Sequence, residues 1–431
     1  MDSPLAEEPV VLATLAPDSP PRANDLVVLA TIVEDSAQAV FGDSPSVSGE
    51  AGEVSLQVAD SPRPRLGIFR RIAGWIASVC GSIFGSLSLI VGLAFLASYP
   101  IAQFFALGYL LEAAGRIGRT GRLRDAFPGV RLASRLGGMI LGSWLFLWPW
   151  RLTRGLLIEA ELIDADSPQT LIVRRLLLAL TVLTPLHVVL ALSRGGRLRH
   201  FFAPLNIVWF VRRLRQGGYF RAAWTNSVSL VRSLRLWQYF SLGLRGYLGA
   251  ALLLAIPSTL YAIGTSDQTF LLGLLGGLLL TILVMYVPFL QIHFAAENRL
   301  RAMFEISAVR ERFRYAPIAF FLSFLFTLLL VLPLYLLKIE VIPRDALWLP
   351  ALVFIVTIFP LKVMAGWAWG RAGRKELAGR KSWFITRLGC RLLMLPVAFI
   401  YAVVVFFTQY TGWHGVRALY EHHAFLLPVP F

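Results

Sequence analysis

The stretch Ile72–Leu111, IAGWIASVCGSIFGSLSLIVGLAFLASYPIAQFFALGYLL, runs forty residues without a charged side chain. A bilayer core about 30 Å thick is crossed by roughly 20 apolar residues in a helix. Forty therefore predict two crossings, Ile72 to about Val91 and about Phe95 to Leu111, with Tyr99 and Pro100 offering the break. Outward from it, uncharged stretches recur at 136–150, 176–193, 246–266, 269–293, 315–337, 346–367 and 392–413. The expected fold is an all-α membrane protein, a polytopic helical bundle of about nine transmembrane helices with amphipathic interfacial helices. An eight-span version makes 72–111 a re-entrant segment.

Composition agrees. With 57% hydrophobic and 15% charged residues and a mean hydropathy of +0.66, the chain holds more apolar material than a soluble core needs, so lipid must cover the excess. The net charge of +16 is unevenly placed. Residues 1–66 carry eleven acids against three arginines, which leaves the basic excess to residues 67–431. Two domains follow: an acidic N-terminal tail, expected to be disordered, over 1–66, and a transmembrane domain over 67–431. The tail is rich in Ser, Pro and Asp, lacks the features of a signal peptide, and repeats itself: VVLATLAPDS at Val10–Ser19 returns as VVLATIVEDS at Val27–Ser36. Two copies of a short motif raise effective concentration for a partner, so a protein docking at the tail is one expectation and drift in an unpacked segment is the other.

Arginines set the orientation. Loops 114–135, 194–245, 294–314 and 368–391 hold most of them, and 194–245 alone has ten with no acid. Loops 151–175, 267–268 and 338–345 are balanced or slightly acidic. The alternation follows the positive-inside rule. It places the chain in the cell (inner) membrane with a cytoplasmic N-terminus and an extracytoplasmic C-terminus. Within 194–245, aromatic and aliphatic residues alternate with Arg212, Arg213, Arg215, Arg232 and Arg235, a pattern in which apolar groups lie at the acyl boundary and guanidinium groups reach lipid phosphate. Membrane lipid, in particular anionic lipid, is thus an expected partner. Ordinary topology-fixing charge is the alternative.

Nearly every span contains a proline, Pro149, Pro185, Pro257, Pro288, Pro333, Pro360 or Pro396, and broken membrane helices free carbonyls that can line a site. The sets Pro100, Gln103, Glu112, Arg116 and Pro288, Gln291, Glu297, Arg301 resemble each other and suggest a parallel repeat of four plus four spans. On that basis Gln103 and Gln291, with His187 and Tyr261, are the candidate cavity-lining residues. Lys362 is expected to snorkel towards Trp367 and Trp369. Gly115, Gly118 and Gly121, interleaved with Arg116, Arg119 and Arg122, allow an anion nest, with a flexible loop as the default. His414, Glu421, His422 and His423 allow a metal, but adjacent histidines point in different directions on regular secondary structure, which argues for an incidental polar end. Cys80 and Cys390 are on opposite sides of the membrane in this topology and build no disulfide framework or metal site. No paired carboxylates and no nucleophile with its base face a span interior, so no enzyme, cofactor, metal centre or nucleic-acid partner is expected.

The runs FAAENRLRAMFEISAVRERFRYAP (Phe294–Pro317), PLYLLKIE (Pro333–Glu340) and HAFLLPVPF (His423–Phe431) resemble a family of uncharacterised bacterial polytopic inner-membrane proteins over about residues 65–431. The resemblance implies a multi-span membrane protein and no reaction, ligand or site residue. Two functions remain open: a permease-like or lipid/amphiphile-binding protein, and a non-transporting membrane scaffold that binds anionic lipid through its Arg-rich loops and partners through its tail.

Overall fold

The computed structural model describes residues 68–202, 206–264, 267–336, 348–411 and 415–421. The chain divides into Met1–Leu66 and Gly67–Phe431. The tail repeat, the His414/His422/His423 cluster, the closing HAFLLPVPF run and the loop 338–345 lie outside the described residues.

Among the described residues every regular element is helical. The described residues begin with α1 (Ile68–Ala97) and α2 (Gln103–Thr120), then α3 (Val130–Ile163) and α4 (Pro168–Ser193). Short helices α5 (Leu198–Phe201), α6 (Asn206–Arg215) and α7 (Tyr219–Ser233) lead into α8 (Leu236–Ile263). The second half runs through α9 (Phe270–Val284), α10 (Val287–Glu297), α11 (Ile306–Phe313), α12 (Pro317–Leu336), α13 (Trp348–Leu377), α14 (Phe384–Thr411) and α15 (Ala418–Glu421).

Local chemistry sets several boundaries. Ser167 caps α4 by accepting from the Thr170 amide at 3.2 Å, with Pro168 in the first turn, where its missing N–H costs nothing. The uncharged forty-residue stretch breaks at Ser98–Ala102, around Pro100. Pro149, Pro185, Pro257, Pro360 and Pro396 stay inside helices, whereas Pro288 opens one.

Five helical stretches are long and apolar enough to cross a membrane: Gly74–Ala97, α4, Tyr219–Ile263 (α7 with α8), α13 and Phe384–Tyr410. Counting the bent pairs α9–α10 (45°) and α11–α12 (117°) as one span each gives seven. Of the two other expected spans, 95–111 is divided between the end of α1, the break and the first half of α2, and 136–150 falls in α3. In α2 the apolar run ends in Glu112, Arg116 and Arg119, and in α3 glycine, serine and flanking arginines dilute the apolar residues.

The core is built around α2, which α8, α10 and α13 surround. Every residue from Ala106 to Gly115 is buried, a continuous enclosed stretch. Small residues permit this. A Cβ on Gly115 would lie 2.7 Å from the Ala295 carbonyl oxygen of α10, one on Gly366 of α13 would lie 2.5 Å from that of Ala114, and Gly108 and Gly243 bring the α2 and α8 backbones into direct contact. Without a hydrophobic drive between helices in lipid, such close approach is what holds them together.

Candidate functional site

Within this core two polar features stand out. Lys362 of α13, 5% exposed, donates to the side-chain oxygen of the fully buried Gln291 of α10, and it has no acidic partner among the described residues. It does not snorkel. Phe359, Leu361, Ala365, Ala368 and Trp369 around it are also buried, so its side chain has no lipid-facing path to an interface. Gln103, the first residue of α2, is 9% exposed, and its Oε1 is enclosed without a hydrogen-bond partner.

The remaining sequence candidates have local partners. His187 of α4 shares a 2.8 Å hydrogen bond with the Phe201 carbonyl and stacks on Phe146 at 4.2 Å. The Tyr261 hydroxyl of α8 donates to the Ala402 carbonyl of α14 at 3.1 Å. Gln103, His187, Tyr261 and Gln291 thus sit on four different helices. Arg212, Arg213 and Arg215 lie on α6, Arg232 in the last turn of α7, and Arg235, in the left-handed region at φ 48°, joins α7 to α8. All five are exposed.

At the C-terminal end of α2, Glu112 pairs with Arg116 at 2.7 Å and Arg119 at 3.5 Å, and Arg119 also donates to the Ala295 and Ala296 carbonyls. Of the interleaved glycines and arginines, Gly115, Arg116, Gly118 and Arg119 lie in the last turns of α2, Gly121 caps it, and Arg122 follows in extended conformation, so the segment is no flexible loop. Nearby, His293 donates to Glu305 at 2.9 Å, and Arg312 pairs with Glu376 at 2.9 Å while lying over Trp369. Hydrogen bonding from His293, with Arg299 and Arg301 adding to it, holds the Glu305 carboxyl below its ordinary range.

One cleft opens beside this end. It encloses about 260 Å³ where α9 bends into α10, against α11, α12 and α14. Ile282, Met285, Phe289, Phe320, Leu392 and Leu395 form apolar walls, and Arg310 and Arg391 stand among them. The Arg391 guanidinium lies 5.3 Å from the Phe313 ring centroid. Neither arginine forms an ion pair among the described residues. Leu392 and Leu395 are 62% and 52% exposed, so the cleft is open along the apolar surface of α14. Sequence reasoning missed both arginines, which read there as ordinary loop charge; the available signal was the α9–α10 break opposite Arg391. Chemically the cleft offers two cations among walls of hydrocarbon.

No family model, no curated protein and no solved structure matches this chain.

Proposed function

We propose that this is an integral membrane protein that binds an anionic amphiphile in the cleft at the α9–α10 bend. The observation that carries the reading is the pair Arg310 and Arg391, without acidic partners, on an apolar cleft open towards the lipid-facing side. A phosphate or carboxylate headgroup suits guanidinium forks, and an acyl chain suits the walls. Lipid tails are as apolar as the cleft, so chain burial adds little selectivity, and the arginines, at about 1 kcal/mol each near a membrane surface, choose the headgroup. Backbone-level contact between α2 and its neighbours supports binding without translocation, since a path through the centre would have to part Gly115 from Ala295 and Gly366 from Ala114.

In this reading α2 and α3 complete nine crossings of the cell membrane, with the Arg-rich loops and the N-terminus cytoplasmic and the C-terminus outside. The same closed centre also favours the second reading, a scaffold that holds anionic lipid at Arg212, Arg213, Arg215, Arg232 and Arg235 and a protein partner at residues 1–66. The deciding experiment is native mass spectrometry of the full chain released from nanodiscs of phosphatidylcholine and phosphatidylglycerol, with palmitate added. Arg310→Gln/Arg391→Gln should lose one anionic adduct that the parent retains. Equal adducts on both proteins would sink the cleft reading and leave the scaffold.

A further inference from the structure

Two turns of this protein, 177 residues apart, are copies of each other. Gly121-Arg-Leu-Arg-Asp-Ala-Phe127 matches Asn298-Arg-Leu-Arg-Ala-Met-Phe304 at four of seven positions. The backbone repeats with the sequence. Gly121 ends α2 at φ 66° and Asn298 ends α10 at φ 54°, both left-handed, a conformation that Gly and Asn tolerate best. Their amides bond Ile117 and Phe294 at 2.6 and 2.7 Å. Arg122 and Arg299 are both extended, at φ −107° and −120°, and their carbonyls accept from Asp125 and Ala302 at 3.2 and 3.0 Å. Each pair of positions differs by the same 177.

The parent helices also meet reciprocally. Gly115 of α2 packs on Ala295 of α10, and Gly118 packs on Ile292; in the 177-residue register Gly115 corresponds to Ile292 and Gly118 to Ala295. Such exchange is the mark of a two-fold relation, here approximate and internal. It replaces the alignment of Gln103 with Gln291, which sets the copies 188 residues apart.

Burial follows the repeat too. Ala126 and Met303 are anchored at 1% and 0% exposure, while Leu123 and Leu300 are 50% and 42% exposed, and Phe127 and Phe304 are 42% and 41% exposed. Arg122, Arg124, Arg299 and Arg301 are exposed beside them. Each turn thus presents two arginines and two partly exposed apolar side chains at the end of a core helix, with Phe127 also resting edge-on against Phe359 at 5.0 Å.

We propose that the two turns are a pair of equivalent sites for anionic phospholipid headgroups, with the arginines on phosphate and the Leu and Phe side chains among the upper acyl carbons. Phosphate attracts two guanidinium groups, and an exposed Leu and Phe between them suit the acyl boundary rather than water. The copies are not equally charged: Glu297 pairs with Arg299 at 2.9 Å and Glu305 lies 3.7 Å from Arg301, whereas only Asp125 adjoins Arg124 in the first turn. Arg122 and Arg124 should therefore form the tighter site. The inference does not depend on the cleft.

The test counts lipids on the full chain by native mass spectrometry after release from nanodiscs of phosphatidylcholine and phosphatidylglycerol. The parent should retain two phosphatidylglycerol molecules through these turns. Arg122→Gln/Arg124→Gln and Arg299→Gln/Arg301→Gln should each lose one, with retention at the altered turn weakened by about 25-fold, since each arginine contributes about 1 kcal/mol, or roughly fivefold. The four-fold variant should lose both, while Arg380→Gln/Lys381→Gln should lose neither. Arg310→Gln/Arg391→Gln separates any cleft-bound adduct. An unchanged thermal transition in lipid-free detergent distinguishes lost binding from lost fold, and if the four-fold variant fails to fold the two double variants decide. Unchanged phosphatidylglycerol counts in folded double variants, or equal loss of phosphatidylcholine, would overturn the proposal. A parent that takes up the two lipids only after residues 1–66 are deleted would overturn it as well, by assigning the turns to the acidic tail.

Discussion

Helices α4 and α13 have nearly the same mean hydropathy over their most apolar windows, 2.2 and 2.0, yet 17% of the first window is buried in the protein and 61% of the second. Their small residues differ. Helix α13 carries Ala351, Ala365, Gly366, Ala368, Gly370 and Ala372 among its buried positions, and α4 buries Thr170, Thr184, Leu190 and Ala191. Both are long and apolar enough to cross a membrane, but lipid and protein interior are equally good surroundings for leucine. Which helix goes inside depends on how closely backbones can approach.

The largest effect should come from filling a close contact. Gly366→Leu would drive a side chain into the Ala114 carbonyl, and overpacking against backbone should cost about 3 kcal/mol or abolish folding. Gly155→Leu in α3, whose Cβ meets nothing within 4 Å, should be nearly neutral. Thermal unfolding in detergent checks the pair, and similar losses at both positions would break the comparison between core and periphery.

A smaller effect is expected at the buried polar pair. Gln291→Leu removes the acceptor of the Lys362 ammonium and should cost roughly 2–3 kcal/mol. Lys362→Met/Gln291→Leu, which removes both partners, should recover most of that loss. A double variant less stable than Gln291→Leu alone would mean that Lys362 is held by something other than this contact.

The next effect depends on pH. The Glu305 carboxyl titrates below its ordinary value near 4.5 because of His293. A carboxyl with a depressed folded value adds stability above its unfolded value, and that addition is lost as pH falls through the folded one. Melting temperature should drop below about pH 4.5, and Glu305→Gln should flatten that part of the profile. An identical acid limb in the variant would assign the loss to other carboxyls. The smallest effect belongs to the periphery, where Arg174 and Glu161 pair at 2.7 Å with both side chains well exposed. Arg174→Ala should cost less than about 1 kcal/mol, and a larger drop in melting temperature would show α4 to be more tightly held than its exposure suggests.

Much of the fold could be read along the chain. Among the described residues, the stretches that the sequence marks as apolar are largely helical, and the break near Pro100 is where the sequence places it. Gln103 and Gln291 were recognisable as polar residues in apolar surroundings, and both are buried. Lys362 was misread because a lysine near two tryptophans looks like an interfacial anchor until the burial of α13 is known. Arg310 and Arg391, 81 positions apart in the sequence, gave no sign that they share a cleft. The GRLRDAF and NRLRAMF turns were legible but short, and only the matching dihedral angles fix the register.

The sequence by itself determined that this is a helical chain with stretches long and apolar enough to cross a membrane and with its positive charge outside the acidic tail, because helix length, hydropathy and charge belong to single segments. Tertiary structure alone decided that α2 lies at the centre, that Lys362 turns inward to Gln291, and that two arginines converge on one cleft. Those outcomes depend on steric fit between helices, and in an environment as apolar as the protein interior no hydropathy pattern encodes which surfaces will meet.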